Sequence, residues 1–310
     1  MPIVKTDVPM TSSLCQETIA ALTAAYPELE SRDLTATAFG RKVTALRIGS
    51  GGRTTLFSAA HHANEWITAT VLLKFAEELS QAIAQGGSLY GIPGRLFDAN
   101  CTIFLVPMVD PDGVDLVTGA IPPGSIQWEQ ARRLADNYPD IPFPDGWKAN
   151  LLGVDLNLQY PAGWLQAREI KFSQGYTRPG PRDYVGRAPL DQLESRAMAD
   201  FTRQVDPALI LAFHTQGETI YWKYDDIQVP GARALGEEFA RLSGYSLEDT
   251  PYESGFAGYK DWFIKIWRRP GFTIEAGSGT NPLPLSQFDS IYSACLGILT
   301  TAALGLPETT

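Results

Sequence analysis

The 310-residue sequence predicts a single α/β domain, with a mixed, twisted central sheet flanked by helices. Three observations lead there. Short apolar runs that fit strands alternate with longer stretches whose apolar residues recur at helical spacing. The hydrophobic fraction, 44%, is that of a globular chain with a sizeable core. No internal repeat, low-complexity segment or break in composition marks a second domain.

In chain order, 16–26 reads as an amphipathic helix and 34–48 as two strands joined at Gly40-Arg41-Lys42. Residues 54–59 form a short apolar strand. From Glu65 to Ala84 the residues Ile67, Val71, Leu72, Phe75, Ala76 and Leu79 share one helical face. The apolar run 101–109 is a buried strand that ends at Asp110-Pro111-Asp112-Gly113, a turn signal. Residues 119–150 and 163–184, rich in Pro and Gly, read as long irregular excursions, and their length marks them as functional loops. A helix is predicted over 190–205, a strand over 208–214, a helix over 231–242 and a strand over 271–275. The apolar stretch 291–306 is too short and too rich in Ser, Thr and Gly for a bilayer span, so it reads as a buried helix.

Composition narrows the function classes. With 25 Lys and Arg against 35 Asp and Glu, the net charge is −10 and no basic stripe is present, which argues against nucleic-acid binding. The first sixteen residues lack a basic region followed by an apolar run, so neither a secretory signal nor a membrane partner is expected. Cys15, Cys101 and Cys295 are isolated and odd in number; they suggest buried small hydrophobes rather than disulfides or a metal site. The expectation is a cytoplasmic protein.

Only three histidines occur: His61, His62 and His214. His62 and Glu65 form an H-x-x-E pair where a predicted strand gives way to a helix, so both side chains can converge on one ion. One imidazole and one carboxylate leave room for a third ligand and an exchangeable water, as a catalytic zinc requires. His214 closes a second apolar strand, and strand ends are where α/β sheets usually place their sites. Taken singly, each of these residues is equally compatible with an ordinary hydrogen-bonded position.

Ordered motifs add to that reading. HHANEW at 61–66, the preceding FGRKVTALRIGSG, DPDG at 110–113, GVDLN at 153–157, FHTQ at 213–216 and GFTIEAG at 271–277 together resemble the zinc carboxypeptidases, over nearly the whole chain. The segments WKANLLGVDLNLQYPAGW and HTQGETIYW are most similar to the γ-D-glutamyl-L-diamino acid peptidases within that superfamily. The resemblance implies residues 1–15 as an N-terminal extension and 16–310 as the catalytic domain. It implies one Zn2+ per chain on His62, Glu65 and His214. Glu275 would act as general base on a zinc-activated water whose pKa falls to about 7. Asp155 would orient His62 from behind. His61 is expected to pack nearby or bond a loop.

Departures from the pattern of the digestive enzymes are informative. Lys148 stands where those enzymes carry the oxyanion-stabilising arginine; it keeps the charge but loses the fork. The Asn-Arg pair that clamps a free C-terminal carboxylate is Asn157-Leu158 here, and Leu158 pairs with no carboxylate. Lys260 falls where the family sets preference for the residue after the scissile bond, and a cation there favours an acidic side chain. Tyr252 is the nearest counterpart of the substrate-capping tyrosine, through a one-residue insertion. The expected reaction is hydrolysis of the γ-D-glutamyl-diaminopimelate (or lysine) amide in a muropeptide, during recycling of cell-wall fragments. The alternatives are a carboxypeptidase on ordinary peptide C-termini, a related deacylase, or a non-catalytic binding module.

Overall fold

A computed structural model describes residues 2–306. Helix α1 (Ser12–Ala25) starts at Thr11, whose hydroxyl accepts from the Leu14 N–H and so satisfies one of the orphan donors of the first turn. Strands β1 (Glu30–Ala36) and β2 (Lys42–Ile48) form an antiparallel pair. Strand β3 (Arg53–Ala59) leads through a single 3-10 turn, Ala63–Glu65, into α2 (Ile67–Ala84). A small hairpin of β4 (Ser88–Leu89) and β5 (Ile92–Pro93) and the short α3 (Gly94–Asn100) precede β6 (Cys101–Val106). Then follow α4 (Pro111–Val117), α5 (Ile126–Ala135), α6 (Trp164–Ser173), α7 (Leu193–Val205), β7 (Leu209–His214) and β8 (Thr219–Tyr221). The chain continues through α8 (Ala232–Ser243), β9 (Ser246–Glu248), α9 (Tyr259–Trp267), β10 (Gly271–Glu275) and α10 (Phe288–Leu304).

Eight strands form one mixed sheet in the order β1-β2-β6-β3-β7-β10-β8-β9. Its middle, β6-β3-β7-β10, is parallel throughout, so four strands end at the same edge. Alternation along these strands divides the core in two. Leu209, Leu211, Phe213, Phe272 and Ile274 face a core built with α1, α2, α8 and α10. Ile210 and Ala212 face the opposite core, built with α7 and α9. Residues 2–11 form no helix or strand, but Val4 and Met10 are buried in the first core and the Ile3 N–H donates to Glu77 Oε1. Among the described residues no helix is long and apolar enough to cross a membrane.

Three expectations are corrected. Asp110-Pro111-Asp112-Gly113 is the start of α4 rather than a turn: Asp110 accepts from the Gly113 N–H at 3.0 Å, and Pro111 sits in the first turn, where its missing N–H costs nothing. The excursion 119–150 contains α5, whose buried side chains are only Ala131 and Ala135, too slight an apolar stripe to announce a helix. The excursion 163–184 contains α6, whose inner face includes a charged residue, Lys171. The three cysteines are free and buried, as expected.

Candidate metal centre and active site

Strand register assembles the site. Glu275 pairs with His214 across β10 and β7, and Phe213 pairs with Ala59 across β7 and β3. The ends of three adjacent parallel strands therefore deliver Glu275, His214 and the His61–Glu65 turn to one place. By alternation His214 shares the face of Ile210 and Ala212, and Glu275 that of Thr273.

The turn after β3 is held on both sides. Thr68 Oγ1 accepts from the Ala60 N–H at 3.1 Å and donates to Glu65 O at 2.6 Å. The Ala63 N–H donates to Lys148 O at 3.0 Å. Glu65 thereby places Oε1 2.9 Å from His62 Nδ1 and Oε2 2.8 Å from His214 Nδ1. The two ring nitrogens lie 3.2 Å apart. One ligand atom from each of these three buried residues falls within 4.8 Å of the others.

Two imidazole nitrogens and a carboxylate converging on one point is the donor chemistry of zinc. Tetrahedral bonds of ~2.0–2.1 Å place neighbouring donors roughly 3.3 Å apart, which the observed nitrogen separation approaches. The residues fit the ion. On its far side His62 Nε2 lies 3.1 Å from Asp155 Oδ1, which fixes the ring and leaves Nδ1 to face the ligands. His214 is held by packing instead, stacked on His61 with ring centroids 5.9 Å apart. His61 Nε2 meets the Tyr160 hydroxyl at 3.1 Å, so this histidine packs beside the cluster.

The charges are mutually adjusted. Burial works against the carboxylate form of Glu65, yet His62, Lys148 and His214 hold it well below the usual range. Burial likewise disfavours a charged His62, but Glu65 and Asp155 outweigh it and lift the ring to about 9; loading a metal must displace that proton. Asp155 is held far below the ordinary carboxylate range, despite its burial, chiefly by His62. Glu275, which sits beside the ligands without joining them, is raised, because burial outweighs the nearby cations.

The comparisons agree with this geometry. A family model described as zinc carboxypeptidase matches residues 15–291. The chain belongs to the zinc carboxypeptidase family. As a member it is a zinc peptidase, an enzyme that hydrolyses peptide bonds. It is 44% identical over 287 residues to γ-D-glutamyl-L-diamino acid endopeptidase 1 of Lysinibacillus sphaericus, covering 92% of this chain and 70% of that one. It is 23% identical over 282 residues to carboxypeptidase B of Bos taurus, covering 84% of this chain and 61% of that one. The crystal structure of thrombin activatable fibrinolysis inhibitor shares the fold, with a TM-score of 0.75 at 16% identity over 99% of this chain and 78% of that one.

In this member of the zinc carboxypeptidase family the pocket beside the metal cluster is lined by Lys148, Asn157, Leu158, Lys260 and Glu275 among others. Lys148 Nζ lies 3.0 Å from Glu65 Oε1 and stays cationic: burial lowers its pKa, but Glu65 raises it further. Asn157 is fixed by its Oδ1, which accepts from the Tyr259 N–H at 3.0 Å. Lys260 is present as an ion-paired group rather than a free cation. Its ammonium is engaged by Lys223 O at 2.6 Å, Thr250 Oγ1 at 3.3 Å and Asp261 Oδ1 at 2.6 Å. Tyr252 lines a neighbouring surface groove instead, exposed and bonded through its hydroxyl to Gln166 Nε2 at 2.8 Å. Sequence reasoning missed Lys171, Arg182 and Asp183, which also line the metal pocket. They come from the segment read as an excursion, where no motif points to them.

Proposed function

We propose that this zinc peptidase cleaves the amide between a γ-D-glutamyl residue and a diamino acid such as diaminopimelate or lysine, in a muropeptide. The observation that carries the reading is the 44% identity, over 92% of the chain, to an endopeptidase named for that bond. The pocket is consistent with it: Leu158, an apolar side chain, lines the wall where the digestive enzymes present an arginine to a peptide C-terminus.

His62, Glu65 and His214 would hold the zinc, and a bound zinc would supply Lewis-acid chemistry, polarising the scissile carbonyl and acidifying the attacking water. Glu275 accepts a proton from that water and delivers it to the leaving amine; burial raises its carboxyl above the ordinary range, the direction that strengthens it as a base. Lys148 offsets the negative charge that develops on the carbonyl oxygen, as a point charge. Asp155 fixes the His62 ring, and Asn157, held against Tyr259, offers its amide to the substrate. The three buried thiols suit a reducing compartment and the recycling of released wall fragments. Recovery of the native protein outside the cell would overturn that placement.

The decisive experiment incubates the zinc-loaded protein with L-Ala-γ-D-Glu-meso-diaminopimelate and, separately, with ordinary C-terminally free peptides, reading fragments by mass. Release of diaminopimelate is expected, with the ordinary peptides little changed. The reverse pattern would discard the cell-wall substrate and leave a carboxypeptidase. In the same assay Glu275→Gln is expected to lower kcat by about 10²–10⁴-fold with zinc content unchanged.

A further inference from the structure

Four cations line the metal pocket: Lys148, Lys171, Arg182 and Lys260. Three of them are occupied. Lys148 pairs with Glu65 at 3.0 Å, Lys171 Nζ with Asp183 Oδ1 at 2.7 Å, and Lys260 with Asp261 at 2.6 Å. Their side chains are 18%, 11% and 4% exposed. Arg182 differs on both counts. It is 40% exposed and bonded only through Nε, to Asp183 Oδ2 at 2.6 Å. Among the described residues neither terminal nitrogen of its guanidinium has a partner.

The arginine is also held in place. Asp183 is shared between Lys171 and Arg182, so two cations face one carboxylate and the group keeps a net positive charge. The Asp183 N–H donates to Asp155 Oδ2 at 3.3 Å, the carboxylate that also orients His62. On the other side of Arg182, Pro181 O accepts from the Lys148 and Ala149 N–H groups at 2.7 and 2.9 Å. Asp183 itself adopts a left-handed backbone, φ 64°, a costly conformation that the surrounding contacts impose. A guanidinium fastened by Nε, with its remaining donors unpaired on a residue that lines a pocket, is an arrangement that can take a carboxylate in a fork.

We propose that Arg182 is a specificity residue: its terminal nitrogens bind the α-carboxylate of the residue on the amine side of the scissile bond. It takes over from another segment the task that Leu158 cannot perform, in the pocket shared with Asn157 and Lys260. The proposal rests on the substrate reading given above, and its test separates the two.

The test compares L-Ala-γ-D-Glu-meso-diaminopimelate with the analogue whose diaminopimelate α-carboxyl is a carboxamide, and with a third peptide carrying the carboxamide on the glutamyl α-carboxyl. The parent enzyme is expected to lose about 10- to 100-fold in kcat/KM on the first amidation, mainly through KM, and far less on the second. In Arg182→Gln the free acid is expected to fall to the level of the amide, so that the preference vanishes. Arg182→Lys is expected to retain an intermediate preference, and it carries the test if the glutamine variant does not fold. Equal losses by Arg182→Gln on acid and amide, or a preference that follows the glutamyl carboxyl, would overturn the proposal. If the enzyme instead cleaves only ordinary C-terminal peptides, the substrate reading fails, and the same acid–amide comparison on those peptides still decides the role of Arg182.

Discussion

Glu194, at the first turn of α7, is buried, and that burial, with the nearby Asp112 charge, pushes its carboxyl up to about 7. The folded protein thus retains a proton that the unfolded chain releases near pH 4–5. The associated stability is full below that range and is lost as pH rises towards 7. Asp110 contributes in the same direction, raised by burial and then by Glu194. Glu194→Gln removes the titration while keeping the shape. It is expected to match the parent near pH 4 and to be more stable by roughly 1–3 kcal/mol at pH 8, seen as a pH-dependent gap in thermal midpoint. The same gap at both pH values would show that no buried charge is involved. At this scale the sequence was legible where a residue sits inside an ordered motif. His62, Glu65, His214, Asp155 and Glu275 all occupy positions that their local strings mark, and the fold brings them together. Arg182 was not legible, because its place depends on N–H groups of Lys148 and Ala149 that donate to Pro181 O and on Asp155, which accepts from the Asp183 N–H, none of which leaves a trace in spacing.

At the scale of elements, α4 is the packing partner of the ligand-bearing turn, and Gly113 is where they touch. A Cβ there would lie 2.3 Å from Asp110 Oδ2, 2.5 Å from Ala149 O and 2.7 Å from Ala63 Cβ. Ala63 stands between His62 and Glu65, so a shift there moves both ligands. Gly113→Ala is expected to destabilise the protein by about 1–3 kcal/mol and to lower the zinc retained after dialysis. A variant with the parent's midpoint and metal content would show that α4 yields easily. The parallel strands were readable because burial on both faces makes their runs continuously apolar. The segments α6 and α9 were harder. Their inner faces carry Lys171 in one and Lys260 with Asp261 in the other, which disguises the helical stripe. Both charges are neutralised within the fold, Lys171 by Asp183 from the loop after α6 and Lys260 by its neighbour Asp261 in α9.

For the whole molecule, the metal cluster joins the ends of β3 and β7, two neighbouring strands drawn from distant parts of the chain. An ion that binds only the folded form stabilises it by about 4 kcal/mol at a thousandfold excess over Kd. Zinc is therefore expected to raise the thermal midpoint by on the order of 10 °C over the chelator-treated protein. An unchanged midpoint at saturating zinc would mean that the three ligands do not gather on one ion. The overall architecture followed from the alternation of strand and helix patterns. The last two strands in the sheet order, β8 and β9, have three residues each and were too short to leave a pattern of their own.

The two oxygens of Asp155 reach in different directions. One meets His62, and the other receives the backbone of the segment that carries Arg182. Catalytic power and substrate choice accordingly share a single hinge pin. Transplanting a different 176–184 segment to retune selectivity would disturb the imidazole behind which it is moored, unless the graft kept an amide aimed at the same carboxylate.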